Sequence, residues 1–208
     1  MRTQTKREEF WNTATHALGA ILGVVGLIAL IRKSDNQQPW SLLSVLIYGA
    51  SVITLFTSST LYHAYTDEKK KHFFRILDHI NIYFLIAGSY TPVLVLLLIE
   101  SKGITLLWAV WGITLFGLIL KLFFTGKFEI FSTLLYLIMG WLITFDFDAL
   151  KLELTEGGIW LLYAGGISYT VGILFYVIEK IPLNHVIWHL FVLAGAIFHF
   201  FMIYYYVI

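Results

Sequence analysis

Residues 184–206 read NHVIWHLFVLAGAIFHFFMIYYY. At about 1.5 Å per residue, a helix of this length covers the roughly 30 Å of a bilayer's hydrocarbon core. The stretch is apolar except at its opening and at His199. His185 and His189 are spaced i, i+4, which puts both imidazoles on one face of a helix, a turn apart. That spacing suits two ligands of a single metal ion. Two interfacial histidines facing water fit it equally well, so the decision rests on where the other polar residues fall.

Working outward, six more apolar stretches precede this one, at roughly 13–31, 41–64, 76–99, 103–123, 128–147 and 157–178. The short connections between them carry most of the Lys, Arg, Asp and Glu. Hydrophobic residues make up 59% of the 208 positions and charged residues 13%, against about 25% charged in an ordinary soluble domain. Such a chain cannot cover its apolar surface with polar groups and must sit in lipid. Backbone polar groups must then be satisfied within each span. The expected fold is all-α, a single seven-helix transmembrane domain over 1–208, in a multi-pass protein of the cell membrane. The first stretch outruns the apolar part of a cleaved signal peptide, about 7–15 residues, and reads as an anchor. Within it Gly19 and Gly23 form a small-xxx-small pair that allows close helix packing. No cysteine is present, so any metal site must be built from His and carboxylates. The net charge of +1 is spread in short runs between apolar stretches and gives no basis for a nucleic-acid partner.

Basic residues set the expected orientation. Arg2, Lys6, Arg7, Lys69, Lys70, Lys71, Arg75, Lys121, Lys127 and Lys180 fall on one side of the seven-span arrangement. Only Arg32, Lys33, Lys102 and Lys151 fall on the other. The bias puts the amino terminus in the cytoplasm and the carboxyl terminus outside. Trp11, Trp40, Trp160 and Trp188 lie near span ends, as an aromatic belt would.

In this frame His16, His63, Asp78, His79, His185 and His189 gather at the cytoplasmic ends of helices 1, 2, 3 and 7. His199 lies about 15 Å further along the last helix. Asp146 and Asp148 read as interfacial. Asp78 is the acid expected to be buried within a span, where ionisable groups are costly and point to function. Ser59 precedes His63 by one turn and shares its face, although a serine in an apolar helix can equally bond back to its own helix carbonyl. The Gly88–Pro92 segment is expected to loosen or kink helix 3 near mid-membrane. His63, His185 and His189 together offer three neutral nitrogen ligands, with Asp78 nearby. Three protein ligands plus an open position for water is the pattern of a catalytic zinc site. The His-Glu-x-x-His motif is missing, because Val186 stands where its base would be, so a base must come from another helix. Asp78 is the candidate at the right depth.

Ser-Thr-Leu-Tyr-His at 59–63, Leu-Asp-His at 77–79, Gly-Ser-Tyr-Thr-Pro at 88–92 and Asn-His-Val-Ile-Trp-His at 184–189 resemble the hemolysin III family. That family is the bacterial branch of the progestin and adipoQ receptors, which include the adiponectin receptors. The opening Glu8-Glu9-Phe-Trp-Asn12-Thr-Ala-Thr15-His16 also resembles the family's first motif. The resemblance covers nearly the whole chain, with the motifs in the family's order. It implies a bacterial plasma-membrane protein in which His63, His185 and His189 bind zinc, with Asp78 and Ser59 beside them. The longer amino-terminal regions of the eukaryotic relatives are missing, so hormone-receptor function is not carried over.

The family further resembles a group of membrane hydrolases that includes the alkaline ceramidases, which implies a zinc-dependent lipid amide or ester hydrolase. Zinc would acidify a water molecule and polarise the substrate carbonyl. Asp78 would hold that water and accept its proton, while Ser59 would hydrogen-bond the water or the developing oxyanion. The fatty-acyl substrate would be a membrane lipid entering laterally from the inner leaflet. Two other classes stay open. One is a pore-forming cytolysin, which the family name implies but no ionisable stripe along the spans supports. The other is a non-enzymatic membrane sensor in which zinc only ties helices together.

Overall fold

The apolar stretches that the sequence sets out as spans are helical, and they extend beyond their apolar portions at several polar ends. The computed structural model describes residues 4–34 and 38–208; Arg2, counted above in the amino-terminal tail, lies outside them. Among the described residues the regular structure is entirely helical, and seven spans are long and apolar enough to cross a membrane. In chain order these are α1 (Lys6–Lys33), α2 (Ser41–Ala64), α3 (Glu68–Leu96) and α4 (Gly103–Phe124). A broken fifth span follows, made of α5 (Glu129–Trp141), a 3₁₀ segment (Leu142–Asp146) and α6 (Phe147–Glu153). The last two are α7 (Glu156–Val177) and α8 (Asn184–Tyr206). Side chains such as Trp108, Ile130 and Leu152 lie almost fully bare, which suits lipid and would be a liability in water. The chain is a multi-pass membrane protein.

Local chemistry sets the helix starts. The Thr5 hydroxyl accepts from the Glu8 N–H at 3.3 Å, and the Glu8 carboxylate accepts from the Thr5 N–H at 2.8 Å. This reciprocal pair satisfies two otherwise orphaned donors at the start of α1. At α3, the Asp67 carboxylate accepts from the Lys70 N–H at 2.9 Å. The buried face of α1 runs Glu8, Asn12, His16, Gly19, Gly23, Gly26 and Leu30. It is polar over its first turns and small beyond them. Leu18, Ile21, Val25 and Ile28 on the other side are exposed and face lipid. At Gly19 a Cβ would stand 2.5 Å from the Phe56 ring, so glycine is what allows α1 to close on α2.

The helices pack in sequence order, α1 on α2, α2 on α3 and α3 on α4, and α8 returns to lie against both α1 and α7. The ends of α2, α4 and α7 and the starts of α1, α3, α5 and α8 therefore share one end of the bundle. Helix α3 continues without interruption through Pro92, where the Thr91 hydroxyl donates to the Ala87 carbonyl at 2.8 Å. The fifth span is the one broken by a 3₁₀ segment, Leu142–Asp146. The Tyr90 hydroxyl donates to the Gly140 carbonyl at 2.9 Å and accepts from the Ile143 N–H at 3.0 Å. Backbone groups freed inside a membrane need such partners, and Tyr90 supplies one from the neighbouring helix. Asp146, read from sequence as interfacial, is buried. It accepts from the Ser101 hydroxyl and the Lys102 N–H, each at 2.8 Å, pinning the end of the break to the α3–α4 connection.

Candidate metal centre

Three hydroxyls in a row end α2, and they behave differently. The Ser58 hydroxyl donates to the Leu55 carbonyl at 2.9 Å and the Thr60 hydroxyl to the Phe56 carbonyl at 2.7 Å. The Ser59 hydroxyl between them is fully buried and has no partner of ordinary hydrogen-bond geometry. It lies instead beside the Asp78 carboxylate. The back-bonded alternative for Ser59 does not occur.

One turn beyond Ser59 stands His63. At the start of α8, Leu183 takes a left-handed conformation with φ of 57°, uncommon for a residue bearing a Cβ. The Asn184 side-chain amide then donates to the Phe175 carbonyl of α7 at 3.0 Å. This turn brings His185 and His189 into the first two turns of α8, facing His63. All three are buried. Each offers one ring nitrogen to a group whose atoms lie within 4.8 Å of one another, close enough to hold a metal ion. Among the described residues no fourth His, Asp or Glu belongs to that group. Asp78 therefore stands beside it rather than in it.

The second ring nitrogens of His63 and His189 face α1. His63 Nδ1 lies 2.6 Å from Glu9 Oε2, and Glu9 Oε1 accepts from Lys71 Nζ at 2.8 Å. Nδ1 therefore donates, and Nε2, buried without a partner, is the atom available to a metal. His189 Nδ1 lies 3.3 Å from the Asn12 carbonyl. A carbonyl only accepts, so this nitrogen also carries the proton. The His16 ring stacks on His189 with centroids 3.6 Å apart and planes 13° apart. A buried nitrogen with no partner, held by a carboxylate on the far side of its ring, is the donor arrangement a bound metal uses.

Sequence reasoning brought together His63, His185, His189, Asp78 and Ser59, and they do share this end of the bundle. It missed Glu9 and Lys71 and gave His16 no role. The available signal was the spacing of Glu9, Asn12 and His16 at i, i+3 and i+7, a single helical face. His79 has further partners besides the neighbouring Asp78 carboxylate, which lies 3.8 Å from its Nδ1. His79 Nδ1 donates to the Arg75 carbonyl at 2.7 Å, and its Nε2 lies 3.9 Å from Glu129. Lys121, counted above as a loop charge, is fully buried against Glu129 at 2.8 Å.

The metal group opens on a cavity of about 320 Å³. Ser59, Tyr62, Asp78, His185, His189 and Tyr176 line its polar part. Leu55, Ile82, Leu85, Ile86 and Val192 are among its apolar lining, and at its distant reach lie His199 and Tyr169. Trp188, read from sequence as a belt residue, also lines the cavity and packs on Tyr176 at 5.4 Å. His199, remote from the metal group as its spacing requires, fits its ring against Gly165.

A family model described as Haemolysin-III related matches residues 4–200. The chain belongs to the haemolysin-III related family. Within it, the chain is 43% identical over 203 residues to a hemolysin-3 homolog of Bacillus subtilis (strain 168), covering 97% of this chain and 95% of that one. It is 45% identical over 207 residues to hemolysin-3 of Bacillus cereus, covering 99% and 94%. A human protein, the monocyte to macrophage differentiation factor, is 31% identical over 201 residues, covering 94% and 82%. No solved structure matches the chain.

Proposed function

We propose that this haemolysin-III related protein is a zinc-dependent hydrolase acting on an amide or ester of a membrane lipid, with its metal centre at the cytoplasmic side. One combination carries the reading. Three buried histidines form a group with no fourth His, Asp or Glu among the described residues, and that group opens on a largely apolar cavity that also holds Asp78 and Ser59. A structural zinc is closed by four protein ligands, whereas a catalytic one keeps a position open.

His63, His185 and His189 hold the ion. Zinc supplies Lewis acidity toward a carbonyl and acidifies water. Asp78 sits outside the ligand group and inside the cavity, where it takes the proton of the attacking water. As the carbonyl oxygen gains charge, the Ser59 hydroxyl, free of its own helix carbonyl, donates to it. Asp78 then returns the proton to the leaving amine or alcohol as the acyl bond breaks, releasing a fatty acid. The apolar lining takes the acyl chain and excludes bulk water.

Asp78→Asn keeps shape and hydrogen bonding but loses the basic oxygen. Release of fatty acid from a panel of long-chain ceramides and other acyl amides in nanodiscs should fall by about 10²–10⁴. The ion should stay bound. Loss of zinc from Asp78→Asn would make Asp78 a ligand instead. Equal, background-level release from wild type and variant across the panel would remove the hydrolase and leave a zinc-tied sensor. The chain has no cysteine, so orientation is open to direct labelling. A cysteine at Glu153 should react with an impermeant reagent outside intact cells and one at Lys70 should not; labelling at position 70 would reverse the orientation.

A further inference from the structure

We propose that the first helix is the orienting element of the metal centre, with Glu9 the positioning residue for His63 and Lys71 the residue that holds Glu9 in place. The proposal rests on the metal reading above and extends it to residues that touch neither metal nor substrate. Helix α1 is otherwise mostly turned to lipid, yet its first turns aim three groups from one face at two ligands carried by other helices. Glu9 meets His63 of α2 at 2.6 Å. The Asn12 carbonyl meets His189 of α8 at 3.3 Å. The His16 ring lies flat on His189 at 3.6 Å. Two of the three ligands thus have their protons fixed on Nδ1 and their planes set by α1.

Glu9 is itself tethered. Lys71 donates to its other oxygen at 2.8 Å and to the Tyr62 carbonyl at 3.3 Å, with the ammonium 5.0 Å from the Tyr62 ring centroid. The lysine thereby joins the first turn of α3 to the last turn of α2 and to α1. A carboxylate behind a ligand imidazole fixes the ring and raises its basicity, and its loss typically weakens metal binding about 10–100-fold.

The test titrates zinc into purified, metal-stripped full-length protein against a competing chelator and records the visible d–d spectrum of the cobalt-substituted form. Glu9→Gln should raise the zinc Kd by about 10-fold and Glu9→Ala by up to about 100-fold. Both should shift the cobalt bands, while the metal-free melting temperature of Glu9→Gln stays near wild type. Lys71→Met should show the same spectral shift with a smaller change in Kd, and exposed Lys69→Met none. A purely architectural role would lower the metal-free melting temperature without moving the cobalt spectrum. Wild-type Kd and spectrum in Glu9→Gln and Lys71→Met, alongside metal loss in His63→Ala, would overturn the role of α1 and leave the metal centre standing. A wild-type protein that takes up no stoichiometric zinc would overturn both.

Discussion

Two polar clusters lie at the same end of the bundle, and they differ in how their chemistry is closed. In one, Lys121 and Glu129 meet at 2.8 Å, the Gly126 N–H donates to the other Glu129 oxygen at 3.0 Å, and Arg75 approaches it at 3.7 Å. A buried cation has its anion, and the cluster ties α3, α4 and α5 together. In the other, His63, His185 and His189 bring nitrogens within 4.8 Å of one another with no acid among them. The first cluster is closed by its own ion pairs, whereas the second leaves His63 Nε2 buried without a partner, and on that difference rests the proposal that the second is a metal site. Asp78 and His79, adjacent in sequence, both line the histidine cavity, and His79 also reaches Glu129 at 3.9 Å, so it stands between the two clusters.

The contrast can be broken most severely at the metal. Removing a ligand should abolish stoichiometric zinc, so His189→Ala should lose the stabilisation that zinc gives wild type. That is about 4 kcal/mol at a free ion concentration of 1,000 times Kd, read as the zinc-dependent rise in melting temperature. His199→Ala, lying elsewhere on the cavity, should keep the full rise. Next comes the closed cluster. Lys121→Met leaves the half-buried Glu129 with only the more distant Arg75 as cation and should cost about 1–3 kcal/mol with zinc content unchanged. Adding Glu129→Gln should recover part of that loss, and no recovery would mean the pair does not act as a unit. The smallest effects separate two neighbouring serines. Ser58 both donates to Leu55 and accepts from the Asn81 side chain at 3.0 Å, so Ser58→Ala should cost about 1 kcal/mol and leave turnover intact. Ser59→Ala removes a hydroxyl that stands beside Asp78 rather than bonding its own helix and should cost less stability than Ser58→Ala while slowing hydrolysis. Equal stability losses at both positions would deny Ser59 its separate role.

What the sequence made legible follows from how far each constraint reaches along the chain. Span number and helical class are local, because about 20 apolar residues in a row suffice to identify a span. The three histidines were legible because neutral nitrogens at span ends are few and their depths can be compared. The break at 142–146 was not, since the group that sustains it is the hydroxyl of Tyr90, more than fifty positions upstream. The Gly88–Pro92 pattern drew attention to α3, whose helix carries on. Lys121 looked like a turn charge because its partner, Glu129, stands beyond that turn and only the folded hairpin of α4 and α5 brings the two together. Glu9 was quoted for its motif but not for its chemistry, because His63 is 54 positions away. The cavity has no signature in any one segment, since six of the seven spans contribute to its lining.

X-ray absorption at the zinc edge of the purified wild-type protein tests the open site most directly. Three nitrogen scatterers at about 2.0–2.1 Å and one oxygen at a similar distance are expected, with no stoichiometric zinc signal from His63→Ala. A shell closed by four protein ligands in wild type would contradict an open catalytic position and make the ion a structural tie.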